Sequence, residues 1–521
     1  MASTTPSDIR LAELVATLSL GTDLGLGQPM EHVIRQTLIA LRMSELMGLD
    51  ESERAVVYYS GLLAWVGCHT DAYEQAKWFG DDLTIKAAGF LVAEPGPGFL
   101  LSHLGAGRPV LERARLGVSL LGEAARRHTV IDLYAHWLAA DGLARELGLG
   151  DDVCQSLRES YERWDGKGAA GAKGQEIRLT SRLVYLADVI AAFHRHGGID
   201  AAIAVAKERS GTHFDPSLVD LFCAQAPVLL SDLDATGNWD TVIAAEPHLE
   251  MLVSEDRFDP VLEAIGDFVD LKSPFTIGHS RAVADLAAEA GRIFGLSDAE
   301  ALTVRRAGLL HDIGRLGVSN AVWDKRGDLT PSESERVRLH PYLTERMLAF
   351  SPTLAGLGAV AVQHHERLDG SGYPRAISGE AITPAGRVLG TADAYHAMLE
   401  LRPHRPARSP DEAASELRAE VVEGRFDGDA VDAVLGAAGH RIPRRRTWPA
   451  GLTTREVEVL RLVACGFSTR EIADRLVIAR KTAGNHIEHI YTKIGASNRA
   501  RAGLFAMQHG LMTGMERLDL K

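Results

Sequence analysis

Residues 307–314, Ala-Gly-Leu-Leu-His-Asp-Ile-Gly, end an apolar run on a His-Asp doublet, and residues 364–374, His-His-Glu-Arg-Leu-Asp-Gly-Ser-Gly-Tyr-Pro, set a His-His doublet ahead of a turn bounded by Gly and Pro. His279 precedes them, His340 lies between them and Asp393 follows, so the potential ligands His279, His311, Asp312, His340, His364, His365 and Asp393 occur in order with gaps of 32, 28, 24 and 28 residues. Each gap is about one helical hairpin, so each ligand group can come from a different helix of a bundle and face a shared centre. A lone histidine on an apolar helix is more often a satisfied core residue than a ligand. Two adjacent pairs change that balance, because neighbouring side chains on a helix stand about 100° apart, which suits a dinuclear centre and poorly suits packing. Imidazole mixed with carboxylate favours iron, manganese or zinc over calcium or magnesium.

Working outward from these residues, the periodicity is helical nearly throughout: Val283, Leu286, Ala287, Ala290 and Ile293 recur at three- and four-residue steps, as do Ile34, Leu38 and Leu41. The fold expected is all-α. A repeat is also present. At a shift of 247, His32 answers His279 and Ser60–Gly67 answers Ala307–Gly314; at a shift of 204, Tyr161–Gly168 answers His365–Gly372 and His136 answers His340. One residue further on, Arg182–Asp188 answers Arg387–Asp393. Two tandem helical bundles are therefore expected, packed as an intrachain pseudo-dimer. The first keeps only His32, His136 and Asp188, with Ala64, Trp65, Ser160 and Tyr161 where the second has His311, Asp312, His364 and His365, so it is expected to hold no metal pair. The boundaries expected are 1–245 for the first copy, 246–440 for the second with an acidic connector around 246–259, a Pro-bounded basic linker at 441–450, and a last domain at 451–521.

The composition is that of an ordinary globular protein: 521 residues, 46% apolar and 24% charged, too long for one core. Apolar stretches are interrupted well before the roughly 20 residues that cross a bilayer, and Met1–Asp8 lacks the pattern of a secretory signal, so no membrane partner and a cytoplasmic location are expected. Cys68, Cys154, Cys223 and Cys465 form no CxxC pair and read as reduced core cysteines. The net charge of −14 is unevenly placed: residues 441–521 carry 15 Lys and Arg against 7 Asp and Glu, leaving −22 on the first 440. A basic module on an acidic body is the asymmetry of a nucleic-acid-binding tail.

With Leu310-His-Asp-Ile-Gly314, the eleven residues from His364 to Pro374 and Thr391-Ala-Asp393, the stretch from about 260 to 410 resembles the HD-GYP branch of the HD phosphohydrolases. The resemblance implies a dinuclear site in which Asp312 bridges the two metals. Metals so held lower the pKa of water and neutralise phosphoryl oxygens, so no serine or cysteine nucleophile is needed. It further implies a substrate lip at Gly372, Tyr373 and Pro374, and cyclic di-GMP as the substrate. Arg315 stands where the family usually has lysine and keeps a positive charge for phosphate, which makes it a catalytic candidate beside Asp312. Arg402 and Arg405 are candidate phosphate contacts, and Phe275, where some members have glutamate, implies two metals and not three.

Residues 452–476, with Lys481, Thr482, His486, Lys493–Gly495 and Arg499, resemble the LuxR-type DNA-binding domain. Ser468 is a good N-cap with Glu471 as its capping-box partner. After a turn at 477–479, a helix from about Arg480 to Ile494 is expected to bury Ile487, Ile490 and Ile494 and to present Lys481, Asn485, Glu488 and Lys493 to the major groove of double-stranded DNA. Asn485 can pair with adenine and Glu488 with cytosine, while Arg480, Lys481, Lys493 and Arg499 hold phosphates and Thr482 lies among them. Such modules act in pairs, so a homodimer is expected. Two readings follow: a transcriptional regulator that hydrolyses a cyclic dinucleotide, or one that only senses it.

Overall fold

The computed structural model describes residues 9–89, 92, 97–105, 109–120, 136–233, 238–247, 251–442, 448–476 and 478–512. Among these the chain is helical apart from one short antiparallel pair, Ile9–Arg10 on Leu252–Val253. The 477–479 turn and the basic linker were read partly on Val477 and on residues 443–447, which lie outside the described residues.

Residues 1–440 form one compact unit and 441–521 another. The halves on either side of the boundary expected at 245 therefore pack against each other within one unit. One hydrophobic core shared by both halves runs from Leu14 and Leu18, through Leu62 and Leu186, to Ile313, Leu316 and Met347. The expected acidic connector is structured as well: Leu252–Val253 pairs with the strand at Ile9, Arg10 donates to Glu246, and the helix Glu255–Asp270 starts directly after.

Polar groups tie the halves as tightly. His69 Nε2 meets the Phe268 carbonyl at 2.7 Å, and the fully buried Asp82 accepts from Ser319 Oγ at 2.6 Å and from the Asn320 amide at 2.8 Å. Lys272 Nζ lies 3.6 Å from the same carboxylate, and burial pulls its pKa down to about 8. Removing one partner of a buried pair strands the other charge, so Asp82→Ala is expected to cost about 3–5 kcal/mol in denaturant unfolding at pH 6. The unfolded lysine keeps its proton until about pH 10.4, whereas the buried one sheds it earlier, so the deficit is expected to shrink by pH 9.

Local signals start the helices that carry the site. Ser297 and Glu300 form a capping box ahead of Asp298–Leu310, Thr330 and Glu333 another ahead of Pro331–Arg338, and Thr383 with Pro384 opens Pro384–Leu399. Gly314 is required by contact: a Cβ there would overlap the His340 carbonyl oxygen, so only glycine lets the Ile313–Gly317 turn seat on the helix His340–Leu348. Gly67 meets the His136 carbonyl in the same way in the N-terminal half.

The second unit packs helices Thr454–Ala464, Thr469–Leu476, Arg480–Ile494 and Arg499–Gln508 around Val459, Leu460, Val463, Ile472 and Ile490. The capping box at Ser468 and Glu471 is formed, with Ser468 N to Glu471 Oε2 at 2.7 Å. Ile490 is buried and Ile487 and Ile494 are partly buried against the same core.

Candidate functional site

The seven candidate ligands converge. His279 is the first residue of His279–Phe294, whose start is anchored by Asp270 accepting from the Ser280 amide and hydroxyl at 2.8 Å each. His340 opens His340–Leu348, and Asp393 sits inside Pro384–Leu399. The doublets are not on helices as expected. His311 caps the end of Asp298–Leu310 and Asp312 has already left it, at φ −103° and ψ 6°; His364 and His365 lie in the turn after Pro352–Ala361. Inside a helix adjacent side chains diverge. Beyond a helix end the backbone can turn both members of a pair inward.

His279, His311, His340, His364, Asp312 and Asp393 are each at most 6% exposed. Asp312 faces two clusters at once: Oδ1 lies 3.4 Å from His340 Nε2 and 3.9 Å from His364 Nε2, and Oδ2 lies 3.6 Å from His311 Nε2 and 3.8 Å from His279 Nε2. Asp393 comes within 3.3 Å of His279 and 3.8 Å of both His311 and His365. Donor atoms of His279, His311 and Asp312, and separately of His340, His364 and His365, lie within 4.8 Å of one another.

The histidines are oriented to ligate. His311, His340 and His364 turn Nδ1 to the carbonyls of Gly308, Val337 and Ala361 at 2.6–2.7 Å, which sets Nδ1 as the donor and leaves the Nε2 lone pairs facing inward. His340 Nε2 and His364 Nε2 are then two acceptors 3.2 Å apart, a repulsive contact unless a cation lies between or beside them. Burial lowers their pKa to about 4 and about 3, which keeps both as the neutral ligating form. His311 Nε2 is buried without a hydrogen-bond partner. Burial works against the Asp312 carboxylate, yet His311 and the Arg315 guanidinium, at 2.7 Å, hold its pKa well below the usual range. These residues fit a pair of divalent cations. The chemistry of the donors alone does not choose the element.

The other expected residues have mixed fates. Arg315 reaches the centre but is buried, paired with Asp312 and stacked 4.2 Å over Trp323. Tyr373 lies against the His365 ring with centroids 4.7 Å apart, next to Pro374, and a Cβ on Gly372 would overlap the backbone of Glu366 and Arg367, so the lip folds over the doublet. Arg402 pairs with Glu400, the carboxylate that also meets His279 at the centre. The Arg405 guanidinium donates to the carbonyls of Ala397, Met398 and Glu400 and so ties down the loop that follows Pro384–Leu399.

Sequence reasoning missed Glu400. Its Oε1 accepts from His279 Nδ1 at 3.1 Å and lies 3.3 Å from His396 Nδ1, so it does for His279 what carbonyls do for the other histidines. Its place four residues after His396 was the only available hint. Partners of this kind are worth about 10–100-fold in metal affinity, so Glu400→Gln is expected to weaken binding by that factor in a competitive chelator titration. Arg338 was missed too; it lies 4.9 Å from the Tyr373 ring centre and donates to the Gly372 carbonyl.

In the second unit Arg480, Lys481, Thr482, Asn485, Glu488 and Arg499 are all exposed, the first five on Arg480–Ile494. Lys493 is exposed as well, but it is paired. Its ammonium donates at 2.8 Å to Glu456, whose side chain is buried.

Comparison with known proteins agrees with this division. Residues 263–430 match the family model described as HD domain, and residues 450–506 the one described as bacterial regulatory proteins, luxR family. The chain is 34% identical over 411 residues to 3'3'-cGAMP-specific phosphodiesterase 3 of Vibrio cholerae, covering 77% of this chain and 89% of that protein. A cyclic di-GMP phosphodiesterase of Thermotoga maritima is 33% identical over 184 residues, covering 35% of this chain and 50% of that one. The crystal structure of a cyclic GMP-AMP specific phosphodiesterase of V. cholerae superposes with a TM-score of 0.57 at 29% identity, over 84% of this chain and 99% of that one.

Proposed function

The chain belongs to the HD-GYP phosphodiesterases and carries a luxR-family DNA-binding domain after them, and from that premise we propose that it hydrolyses a cyclic dinucleotide and couples the state of that ligand to DNA binding. The observation that carries the enzymatic half is Asp312, whose two oxygens face two separate histidine clusters.

His279 and His311 would hold one metal, His340, His364 and His365 the other, with Asp312 shared and Asp393 completing the set. When bound, the pair supplies Lewis-acid polarisation of a phosphoryl oxygen and a water acidic enough to attack at neutral pH. The protein does the rest. The three histidine–carbonyl bonds lock ring orientation, Glu400 fixes His279, and Arg315 keeps Asp312 ionised. Tyr373 lies over His365 beside the reacting centre, where it can pack against a nucleobase. Water adds across one phosphodiester and opens the ring to a linear dinucleotide.

Among substrates we favour 3'3'-cGAMP, because the cGAMP-specific relative aligns along most of both chains whereas the T. maritima enzyme that acts on cyclic di-GMP aligns with about a third of this one. Cyclic di-GMP, implied by the sequence motifs, is the second substrate to test. The test is incubation of manganese- or iron-loaded protein with each dinucleotide and chromatographic resolution of products. A linear product is expected from 3'3'-cGAMP at the higher rate. No product above that of His311→Ala would refute the enzyme and leave a nucleotide sensor. For the DNA-bound form we propose a homodimer, read as a two-chain mass on a duplex containing two half-sites.

A further inference from the structure

A cavity of about 480 Å³ opens in the N-terminal half between the helix Leu179–Glu208 and the loop at 160–169, within the range of about 300–1,000 Å³ typical of small-molecule sites. It is not a metal site. The Trp65 indole donates to Asp188 Oδ1 and Gln36 Oε1 at 3.1 Å each, and His32 Nε2 takes the same Asp188 oxygen at 3.0 Å, so the one carboxylate on the wall among the described residues is spent on its neighbours.

The remaining wall is aromatic and cationic. Trp65 and Tyr161 meet edge to face with centroids 5.6 Å apart, and Tyr185 faces the same space. Against them stand Lys86, Arg163, Lys167 and Arg209. Arg163 and Lys167 share Asp165, and Lys86 Nζ is 3.4 Å from Asp71, both acids lying behind the wall. Arg209 is different: it is 6% exposed, its Nε has no hydrogen-bond partner, and no carboxylate pairs with it among the described residues. A buried guanidinium without a counter-charge is strongly unfavourable, and an anion in the cavity would supply the missing partner. Aromatic faces opposite a phosphate-binding cation make a nucleotide the ligand class, since stacking and charge are met together.

We propose that this cavity binds a phosphate-bearing nucleotide without cleaving it, the phosphate at Arg209 and Lys167 and the base against Trp65, Tyr161 or Tyr185. The site is separate from the metal centre, so the proposal does not depend on turnover there. The experiment uses the full chain carrying His311→Ala in chelator, with radiolabelled 3'3'-cGAMP and GMP as separate probes in equilibrium dialysis. At least one probe is expected to bind, about tenfold or more weakly after Arg209→Gln and after Lys167→Glu. Lys167 has a 73% exposed side chain, so its replacement tests the site even if the Arg209 variant folds poorly. Binding of 3'3'-cGAMP alone assigns the site to the intact cyclic ligand, and binding of GMP to a mononucleotide. If neither probe binds, or both variants bind as tightly as the parent, the proposal is overturned.

Discussion

Asp312→Asn is expected to lower cyclic dinucleotide hydrolysis by about a thousandfold or more, some 4 kcal/mol of transition-state stabilisation. The amide keeps the size of the side chain and removes only its charge, so the loss reports the carboxylate itself. Asp312 lies within 3.9 Å of four imidazoles, two from each cluster, whereas Asp393 comes within 3.8 Å of three, His279, His311 and His365. Metal content by mass spectrometry is expected to fall with activity. Arg315 loses its partner in this variant, so thermal unfolding must be followed in parallel. A folded variant that keeps two metals and loses less than tenfold in turnover would remove Asp312 from the role assigned to it.

Deleting residues 441–521 is expected to abolish binding to duplex DNA while leaving hydrolysis within about twofold of the full chain. That segment is compact by itself and carries the chain's basic surplus, while residues 1–440 are strongly acidic and repel DNA. Salt dependence gives a finer check. With Arg480, Lys481 and Arg499 on phosphates, the slope of log K against log salt is expected near −3 per domain, at about −0.9 per neutralised phosphate. Lys481→Ala is expected to reduce that slope by about 1, and Lys493→Ala to leave it unchanged, because the Lys493 charge is already taken by Glu456. Retention of DNA binding by residues 1–440 would overturn the assignment.

The candidate metal ligands were legible because ligation demands particular residue types, and His and Asp doublets have few other uses at buried positions. Their placement was not. Whether His311 and Asp312 stand on a helix or just past its end depends on where Asp298–Leu310 stops, and it stops where Gly314 must meet the His340 backbone, a contact made across 26 residues of chain. The bonds of Arg402 to Glu400 and of Arg405 to loop carbonyls were not legible, because a free arginine and one that braces a loop look alike in sequence. Glu400 was invisible for the same reason, since its meaning comes from His279, far earlier in the chain.

By itself the sequence determined the all-α class, the seven candidate ligands, the capping box at Ser468 and Glu471 and the basic tail, since each rests on residue type and on spacing along a few turns. Tertiary structure decided how far one core extends through the first 440 residues, which arginines are spent on the fold, that Lys493 is held by Glu456, and that a cationic cavity remains in the half without the ligand doublets. The division has one physical cause: periodicity and capping are encoded within a few residues, whereas burial and pairing of charges depend on which distant segments the fold brings together.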